Sequence, residues 1–335
     1  MGLTTSPARA ALPSSCQPVA PAHSVPSLLD DVRDGLLTSP RSLPPKYFYD
    51  DRGSRLFDAI CDTEEYYPTR TEDDLLGHRA ADIIARLQPE HLVELGSGTS
   101  RKTRRLLDAC EEQGCHATYW PFDVCESMVQ DSALALMDEY DWLQVRGLVG
   151  DYHAGFEHLP GFPGRALFVF LGSTIGNLEH EYAVSFLREL RGLMGPDDAL
   201  LMGADRVKDS DVLQAAYNDR DGLTAEFNRN LLRVLNREVG ANFDPTAFEH
   251  RAIYNQARSR IEMYLVAAQA QTVTVKALDA SIEFVEGESI LTEISRKFTP
   301  ASLTTLLSEA GFRIEQHYEP ADGFFSLLLA APAAD

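Results

Sequence analysis

The chain has 335 residues, of which 51 are acidic and 30 basic, and its formal net charge at pH 7 is −21. Nucleic-acid binding rests on lysine and arginine contacts to phosphates, so this charge argues against a nucleic-acid partner and favours a small-molecule substrate. The 9 histidines show no metal-ligand spacing, the 5 cysteines contain no Cys-x-x-Cys pair, and no apolar run reaches membrane-spanning length. We therefore expect a cytoplasmic monomer with reduced thiols, no metal, no membrane contact, and enough chain for two domains.

The N-terminal segment differs in composition from the rest of the chain. Residues 1–26 contain five prolines, many alanines and serines, and no acidic residue. Such a segment has little apolar surface to bury, which predicts a disordered lead-in over 1–26. Order is expected from Ser27, whose side chain suits the N-cap of a short helix over 28–37.

Aromatic residues then gather close to prolines, in the segments 43–57 and 65–70. From the sequence alone, they form either a small satellite core or a lid whose phenol groups face a small polar substrate. A helix is predicted to follow over 71–86, because acidic side chains fill its first turn and favour the positive end of the helix dipole.

A glycine turn is the feature around which the chain is organised. A buried strand is predicted over 92–95, and Gly96 and Gly98 follow it before a segment of helical character. A dinucleotide fingerprint needs a third glycine where Arg101 stands, and the Gly-Lys-Ser/Thr of a P-loop is missing. An acid at Glu94 before the two glycines resembles instead the first motif of Rossmann-like, S-adenosylmethionine-dependent methyltransferases. The other interpretation is a turn that simply requires glycine.

Three more strands are predicted, over 118–122, 145–149 and 166–171, and polar loops follow them at the same edge of the sheet. Asp123 ends the first of them, where a carboxylate can accept both ribose hydroxyls of an adenosine or act as a helix N-cap. Asp151 follows the second and is placed to accept from an adenine amino group.

The remaining elements complete a predicted α/β sheet of seven strands, with an antiparallel hairpin at the end. These elements are a helix over 181–194, a strand over 199–203, a helix over 301–310, and strands over 312–318 and 324–329. A long segment over 207–296 interrupts the alternation. We predict an S-adenosylmethionine-binding domain from 71–206 plus 297–335, and a smaller α+β substrate-binding domain from 27–70 plus 207–296.

Several long strings carry a family resemblance, among them Glu-Tyr-Tyr-Pro-Thr-Arg-Thr-Glu at 65–72 and Phe-Leu-Gly-Ser-Thr-Ile-Gly-Asn-Leu at 170–178. Others lie at 42–50, 94–100, 227–230, 247–250, 260–263 and 292–295. From about Arg33 to Leu329 the chain resembles the histidine-specific, S-adenosylmethionine-dependent Nα-methyltransferases of ergothioneine biosynthesis. The resemblance implies transfer of three methyl groups to the α-amino group of L-histidine, which gives hercynine.

The resemblance also implies roles for individual residues. On the cofactor side it places S-adenosylmethionine against Gly96, Lys102, Asp123, Asp151 and Tyr152. On the substrate side it implies contacts to the amino and carboxylate groups from Tyr66, Asn177 and Tyr217, and to the imidazole from Glu293 and Ser295, with Met263 nearby. The backbone of Gly172 is expected beside the amino group, and Tyr49 and Phe57 around the donor and substrate pocket. Tyr49 is a conceivable proton acceptor, and loss of the proton to water is the alternative.

Glu293 and Ser295 are two positions apart, so on a strand they face the same side. A carboxylate and a hydroxyl can together bond the two nitrogens of an imidazole, whereas an indole offers one donor and no acceptor. This pair therefore favours histidine over a tryptophan derivative as the substrate. The other hypothesis is a non-catalytic module that binds S-adenosylmethionine.

Overall fold

A nine-stranded sheet forms the centre of the protein in a computed structural model, which describes residues 16–334. The strands are β1 (Cys16–Pro18), β2 (Arg41–Ser42), β3 (His91–Leu95), β4 (Thr118–Asp123), β5 (Gln144–Val145), β6 (Gly147–Val149), β7 (Ala166–Phe170), β8 (Ala199–Asp205), β9 (Phe248–Asn255), β10 (Arg260–Ala267), β11 (Gln271–Val275), β12 (Ala280–Phe284), β13 (Ser289–Arg296), β14 (Phe312–Tyr318) and β15 (Phe325–Pro332). The helices are α1 (Leu28–Leu36), α2 (Asp51–Cys61), α3 (Tyr67–Leu87), α4 (Arg104–Gln113), α5 (Glu126–Glu139), α6 (His180–Leu193), α7 (Ser210–Ala216), α8 (Leu223–Glu238) and α9 (Pro300–Glu309).

The central sheet has the order β1-β6-β4-β3-β7-β8-β15-β14, with β5 paired to β4. Pairing is parallel from β1 to β8, and β15 is antiparallel to both of its neighbours. One apolar core packs α3, α4 and α5 on one face, and a second core packs α6 and α9 on the other. This is the predicted Rossmann-like class I methyltransferase fold with its closing antiparallel hairpin.

The predicted number of seven strands is wrong, because the sheet has nine. The predicted strand over 145–149 is two short strands, since the chain leaves the ladder at Arg146 between β5 and β6. The Arg146 guanidinium lies 5.3 Å from the centroid of the Trp120 ring, and its backbone N–H donates to the Tyr119 carbonyl at 2.8 Å. The ninth strand, β1, comes from the N-terminal segment.

The prediction of a disordered lead-in over 1–26 is wrong for residues 16–18, and residues 1–15 lie outside the described residues. β1 runs parallel to β6, and the ladder continues past it, with the N–H of Val19 2.8 Å from the carbonyl of Val149. Cys16 is buried against Gly147, where an added Cβ would lie 2.6 Å from the Cys16 sulfur. An open sheet edge and a glycine that permits close approach therefore order this proline-rich segment.

A second sheet of four strands, in the order β2-β13-β10-β9, stands apart from the central one. It shares an apolar core with α1, α7, α8 and the β11-β12 hairpin. As predicted, α1 begins after Ser27, which forms a capping box with Asp30. The second sheet is drawn from the two segments of the predicted substrate domain, and we propose that domain division for the chain.

None of the helices within residues 16–334 is both long enough and apolar enough to cross a membrane. Residues 16–334 also contain no cluster of three or more His, Cys, Asp or Glu side chains that could bind a metal ion.

Candidate active site

A cavity of about 650 Å³ lies between the carboxyl ends of β3, β4 and β7 and the second sheet. Every residue that the sequence analysis singled out for cofactor, substrate or catalysis lines this cavity. The cofactor set is Gly96, Lys102, Asp123, Asp151, Tyr152 and Phe57, and the substrate and catalytic set is Tyr49, Tyr66, Gly172, Asn177, Tyr217, Met263, Glu293 and Ser295. The fold thus brings together side chains separated by up to about 250 positions in the sequence.

The glycine turn forms one end of the cavity. Gly96 and Gly98 have φ angles of +70° and +50°, a conformation that favours glycine. Asp123 holds the turn, because its carboxylate accepts from the N–H of Gly98 at 2.9 Å and from that of Cys125 at 3.0 Å. Burial raises the pKa of Asp123, although these backbone bonds lower it. The N-cap of α5 is Cys125, so Asp123 does not cap that helix, and Asp123 lines the cavity beside the turn.

The absence of a side chain at Gly96 leaves the turn open towards Tyr152, whose ring would lie 3.6 Å from an added Cβ. Glu94 precedes this turn and is buried, with the Tyr119 hydroxyl bonded to its carboxylate. Burial raises the pKa of Glu94 to about 7. A backbone-lined turn with a carboxylate at the end of the next strand fits the adenosine part of S-adenosylmethionine.

A buried ion pair joins the glycine turn to the loop after β7. The fully buried carboxylate of Glu72 pairs with Lys102, and it also accepts from the N–H of Gly172 at 2.8 Å and 3.0 Å. Gly172 has a φ angle of +76°. Glu72 was not assigned a role from the sequence, although it is the last residue of the family motif at 65–72. Its contacts fix both Lys102 and the start of the loop that ends in Asn177.

Aromatic rings form the wall between the two ends of the cavity. Tyr49 meets Phe57 edge to face at 5.8 Å between centroids, Phe57 meets Tyr66 at 6.1 Å, and Tyr66 meets Tyr217 at 5.9 Å. These rings belong to the apolar core of the second sheet and also line the cavity. The core interpretation of the aromatic segments is therefore supported, and the interpretation as a lid over a substrate stays a prediction. Burial, and next the charge of Glu293, raises the pKa of Tyr49 well above its ordinary value, so its phenol stays protonated.

Glu293 lies at the opposite end from the glycine turn, on β13, with Met263 of β10 as its antiparallel partner. Its side chain is buried, and no side chain or backbone N–H among residues 16–334 donates a hydrogen bond to its carboxylate. Burial raises the pKa of Glu293 to about 7, and the charge of Lys297 partly opposes this. A carboxylate that faces a cavity without a protein donor is suited to accept from a ligand.

Ser295 lies on the same face of β13 and belongs to a polar cluster that the sequence analysis missed. The Tyr217 hydroxyl donates to Ser295 Oγ at 2.8 Å, and Lys297 Nζ donates to the same oxygen at 2.9 Å. Lys297 also donates to Tyr217 Oη at 2.9 Å and pairs with Asp205 at 2.8 Å. Positions 293, 295 and 297 share the period of two, but Lys297 lies one residue beyond β13 and its partner Asp205 is distant in the sequence, so alternation alone does not assign it a role.

The family model for histidine-specific, S-adenosylmethionine-dependent methyltransferases matches residues 28–332. The chain belongs to this family. Two proteins named histidine N-alpha-methyltransferase, from Mycobacterium tuberculosis and Mycolicibacterium smegmatis, are each 48% identical over 91% of this chain and 95% and 94% of their own lengths. Ergothioneine biosynthesis protein 1 of Schizosaccharomyces pombe is 30% identical over 83% of this chain and 37% of its own length.

Membership of the histidine-specific methyltransferase family confirms the resemblance inferred from the sequence strings. It also makes this chain an enzyme of the S-adenosylmethionine-dependent class. The roles of the individual cavity residues stay predictions, which the experiments below address.

Proposed function

We propose that this protein transfers three methyl groups from S-adenosylmethionine to the α-amino group of L-histidine. The product is Nα-trimethylated histidine (hercynine), and the reaction is the first step of ergothioneine biosynthesis. We further propose that it acts as a monomer in the cytoplasm, and that it acts without nucleic acid because its net charge is −21.

The observation that carries this proposal is the polar end of the cavity. Glu293 offers an acceptor without a protein donor, and Ser295 offers a hydroxyl on the same strand face. These groups match the two nitrogens of an imidazole. The glycine turn and Asp123 at the other end match an adenosine, so the space between them suits a methyl group in transfer.

S-Adenosylmethionine, when bound, supplies an electrophilic methyl group on a sulfonium. The residues of the chain have to hold the amine nitrogen in line with that methyl, because alignment at near-attack distance is a large part of the rate enhancement. We assign Tyr66, Asn177 and Tyr217 to the amino and carboxylate groups of the substrate, and the backbone of Gly172 to the space beside the amine. Neutral groups such as Asn177 allow the amine to rotate between successive transfers, whereas a fixed ion pair would hold it.

The amine must lose its proton before each attack, because its lone pair is the nucleophile. Tyr49 remains protonated as a consequence of its raised pKa, so it can accept a hydrogen bond but is a weak base. Lys102 Nζ is bonded to the carboxylate of Glu72. We propose that the proton leaves to water, and that Tyr49 orients the amine.

The test is mass spectrometry of the products after incubation of the purified protein with S-adenosylmethionine and all twenty common amino acids together. Trimethylated histidine alone supports the proposal. A different methylated amino acid would contradict the assignment of Glu293 and Ser295 while leaving the enzyme class intact. Binding of S-adenosylhomocysteine without any methylated product would favour the non-catalytic module.

A further inference from the structure

A buried lysine stands directly behind the polar end of the cavity. The side chain of Lys297 is fully buried and does not line the cavity itself. Its ammonium contacts three acceptors, which are Asp205 Oδ2 at 2.8 Å, Tyr217 Oη at 2.9 Å and Ser295 Oγ at 2.9 Å. Burial lowers the pKa of Lys297, but the charge of Asp205 outweighs this and raises it above the ordinary value, so the ammonium stays charged. All three of its hydrogens are therefore used.

The direction of the two bonds from Lys297 follows from a count of donors and acceptors, and that of the bond between the two hydroxyls follows from its geometry. Lys297 can only donate, so Tyr217 Oη and Ser295 Oγ both accept from it. The hydroxyl of Tyr217 donates its one hydrogen to Ser295 Oγ, at 2.8 Å. Ser295 Oγ then accepts twice, which occupies both of its lone pairs. The O–H of Ser295 is then available only as a donor, and because Ser295 lines the cavity, it can donate to a ligand there.

We propose that Lys297 is a positioning residue that makes Ser295 an obligatory hydrogen-bond donor, so that the site selects a neutral ring with one N–H and one unprotonated nitrogen. This inference rests on the proposed function, because the ring in question is the imidazole of histidine. Glu293 accepts from the N–H, and Ser295 donates to the other nitrogen. Without Lys297, the hydroxyl of Ser295 would be free to accept, and either a donor or an acceptor could face it.

The same cluster contains a matched control. Lys208 also pairs with Asp205, is almost fully buried, and donates to the Tyr67 hydroxyl at 2.6 Å. It contacts neither Ser295 nor the cavity. Replacement of Lys208 by methionine therefore removes one of the two ammonium groups beside Asp205 and leaves the donors to the serine in place.

The experiment compares the binding of histidine with that of two analogues, by calorimetry in the presence of S-adenosylhomocysteine. β-Pyrrolylalanine keeps the ring N–H but lacks the second nitrogen, and β-thiazolylalanine keeps an acceptor nitrogen but lacks the N–H. In the unaltered protein, we expect histidine to bind about tenfold or more tighter than the pyrrole analogue, since Ser295 then lacks its acceptor. In Lys297→Met that ratio should fall below about threefold, and in Lys208→Met it should persist.

A merely structural role for Lys297 would weaken histidine and the pyrrole analogue in the same proportion, and this outcome would overturn the inference. An unaltered protein that binds S-adenosylhomocysteine but not histidine would instead refute the proposed function, and the inference with it. The thiazole analogue tests Glu293 separately. Its affinity relative to that of histidine should be the same in Lys208→Met as in the unaltered protein, because only Lys297 acts on the charge of Glu293.

A second measurement needs no variant, in case Lys297→Met does not fold. Nitrogen-15 NMR of labelled histidine bound to the unaltered protein with S-adenosylhomocysteine reports which ring nitrogens carry a proton. We expect one protonated and one unprotonated nitrogen from pH 6 to pH 8. A bound imidazolium with two protonated nitrogens would require Ser295 to accept, and it would contradict the inference directly.

Discussion

Removal of the Glu293 carboxylate is the most direct perturbation of the proposed substrate site. The carboxylate is buried, lacks a protein donor, and faces the cavity at the end opposite the glycine turn. A hydrogen bond from a ligand N–H to such a charged group contributes about 1.5–3 kcal/mol. We therefore expect Glu293→Ala to weaken histidine binding about 10- to 150-fold, while the affinity for S-adenosylhomocysteine stays nearly unchanged.

Isothermal titration calorimetry measures both affinities on the same preparation. Glu293→Gln is the matched control, because its amide oxygen keeps an acceptor of similar shape without the charge, and a smaller loss is expected. Equal losses for histidine and for S-adenosylhomocysteine would refute the reasoning, since they would indicate general damage to the cavity. A histidine affinity within twofold of the unaltered protein would refute it as well.

Four substitutions, one of them a control, test separate parts of the structure. Gly203→Ala would place a Cβ 1.7 Å from Glu72 Oε1, so we expect about 1–3 kcal/mol less stability in chemical denaturation. Gly192→Ala, with open space around it, should not destabilise the protein, and equal effects would contradict the packing argument. Because burial raises the pKa of Glu293 from 4.5 to about 7, its ionisation opposes folding increasingly as the pH rises from 4.5 to 7. Glu293→Gln should therefore add up to about 3 kcal/mol to the free energy of unfolding of the ligand-free protein at pH 8, and much less at pH 5; a gain independent of pH would count against the shifted pKa. Asp123→Ala should weaken S-adenosylhomocysteine binding about tenfold or more in calorimetry, because its carboxylate also holds the glycine turn; unchanged affinity would remove Asp123 from the cofactor site.

Local patterns in the sequence were sufficient where an element's own residues determine it. The buried strand before the glycine turn and the N-cap at Ser27 both appear where the pattern predicts them. The helix after the glycine turn begins at Arg104, because residues 101–103 first form a turn. Side-chain periodicity and capping act within a few residues, so they are visible without knowledge of the fold.

Other elements were missed because their signals are weak or come from distant partners. β9 buries only Phe248 and Ala252, so its sequence lacks a clear alternation of apolar residues. α2 contains Gly53, a poor helix former, which is needed because an added Cβ would lie 1.6 Å from the Phe48 carbonyl oxygen. β1 forms only because β6, about 130 positions later, offers it an edge.

The residues of the candidate site likewise fall into two groups, those that local sequence indicates and those that depend on distant partners. Glu293 and Ser295 could be selected from strand alternation together with the family strings, and the structure places both at the cavity. Glu72 and Lys297 could not be assigned from the sequence, because their partners Gly172 and Asp205 are about 100 and 90 positions away. Residues that position other residues depend on contacts that only the folded chain creates.

The pairing of β1 with β6 has a practical consequence for anyone who shortens this protein. The family match begins at residue 28, so a protein trimmed to that boundary would lose β1 and the backbone bonds from residues 19–23 to Val149 and Ala154. Its sheet would then present the bare edge of β6 to solvent, and exposed edges promote self-association. Asp151 follows β6 directly and lines the cavity, so the same cut would also loosen one wall of the site. The functional unit therefore extends upstream of the region that defines the family.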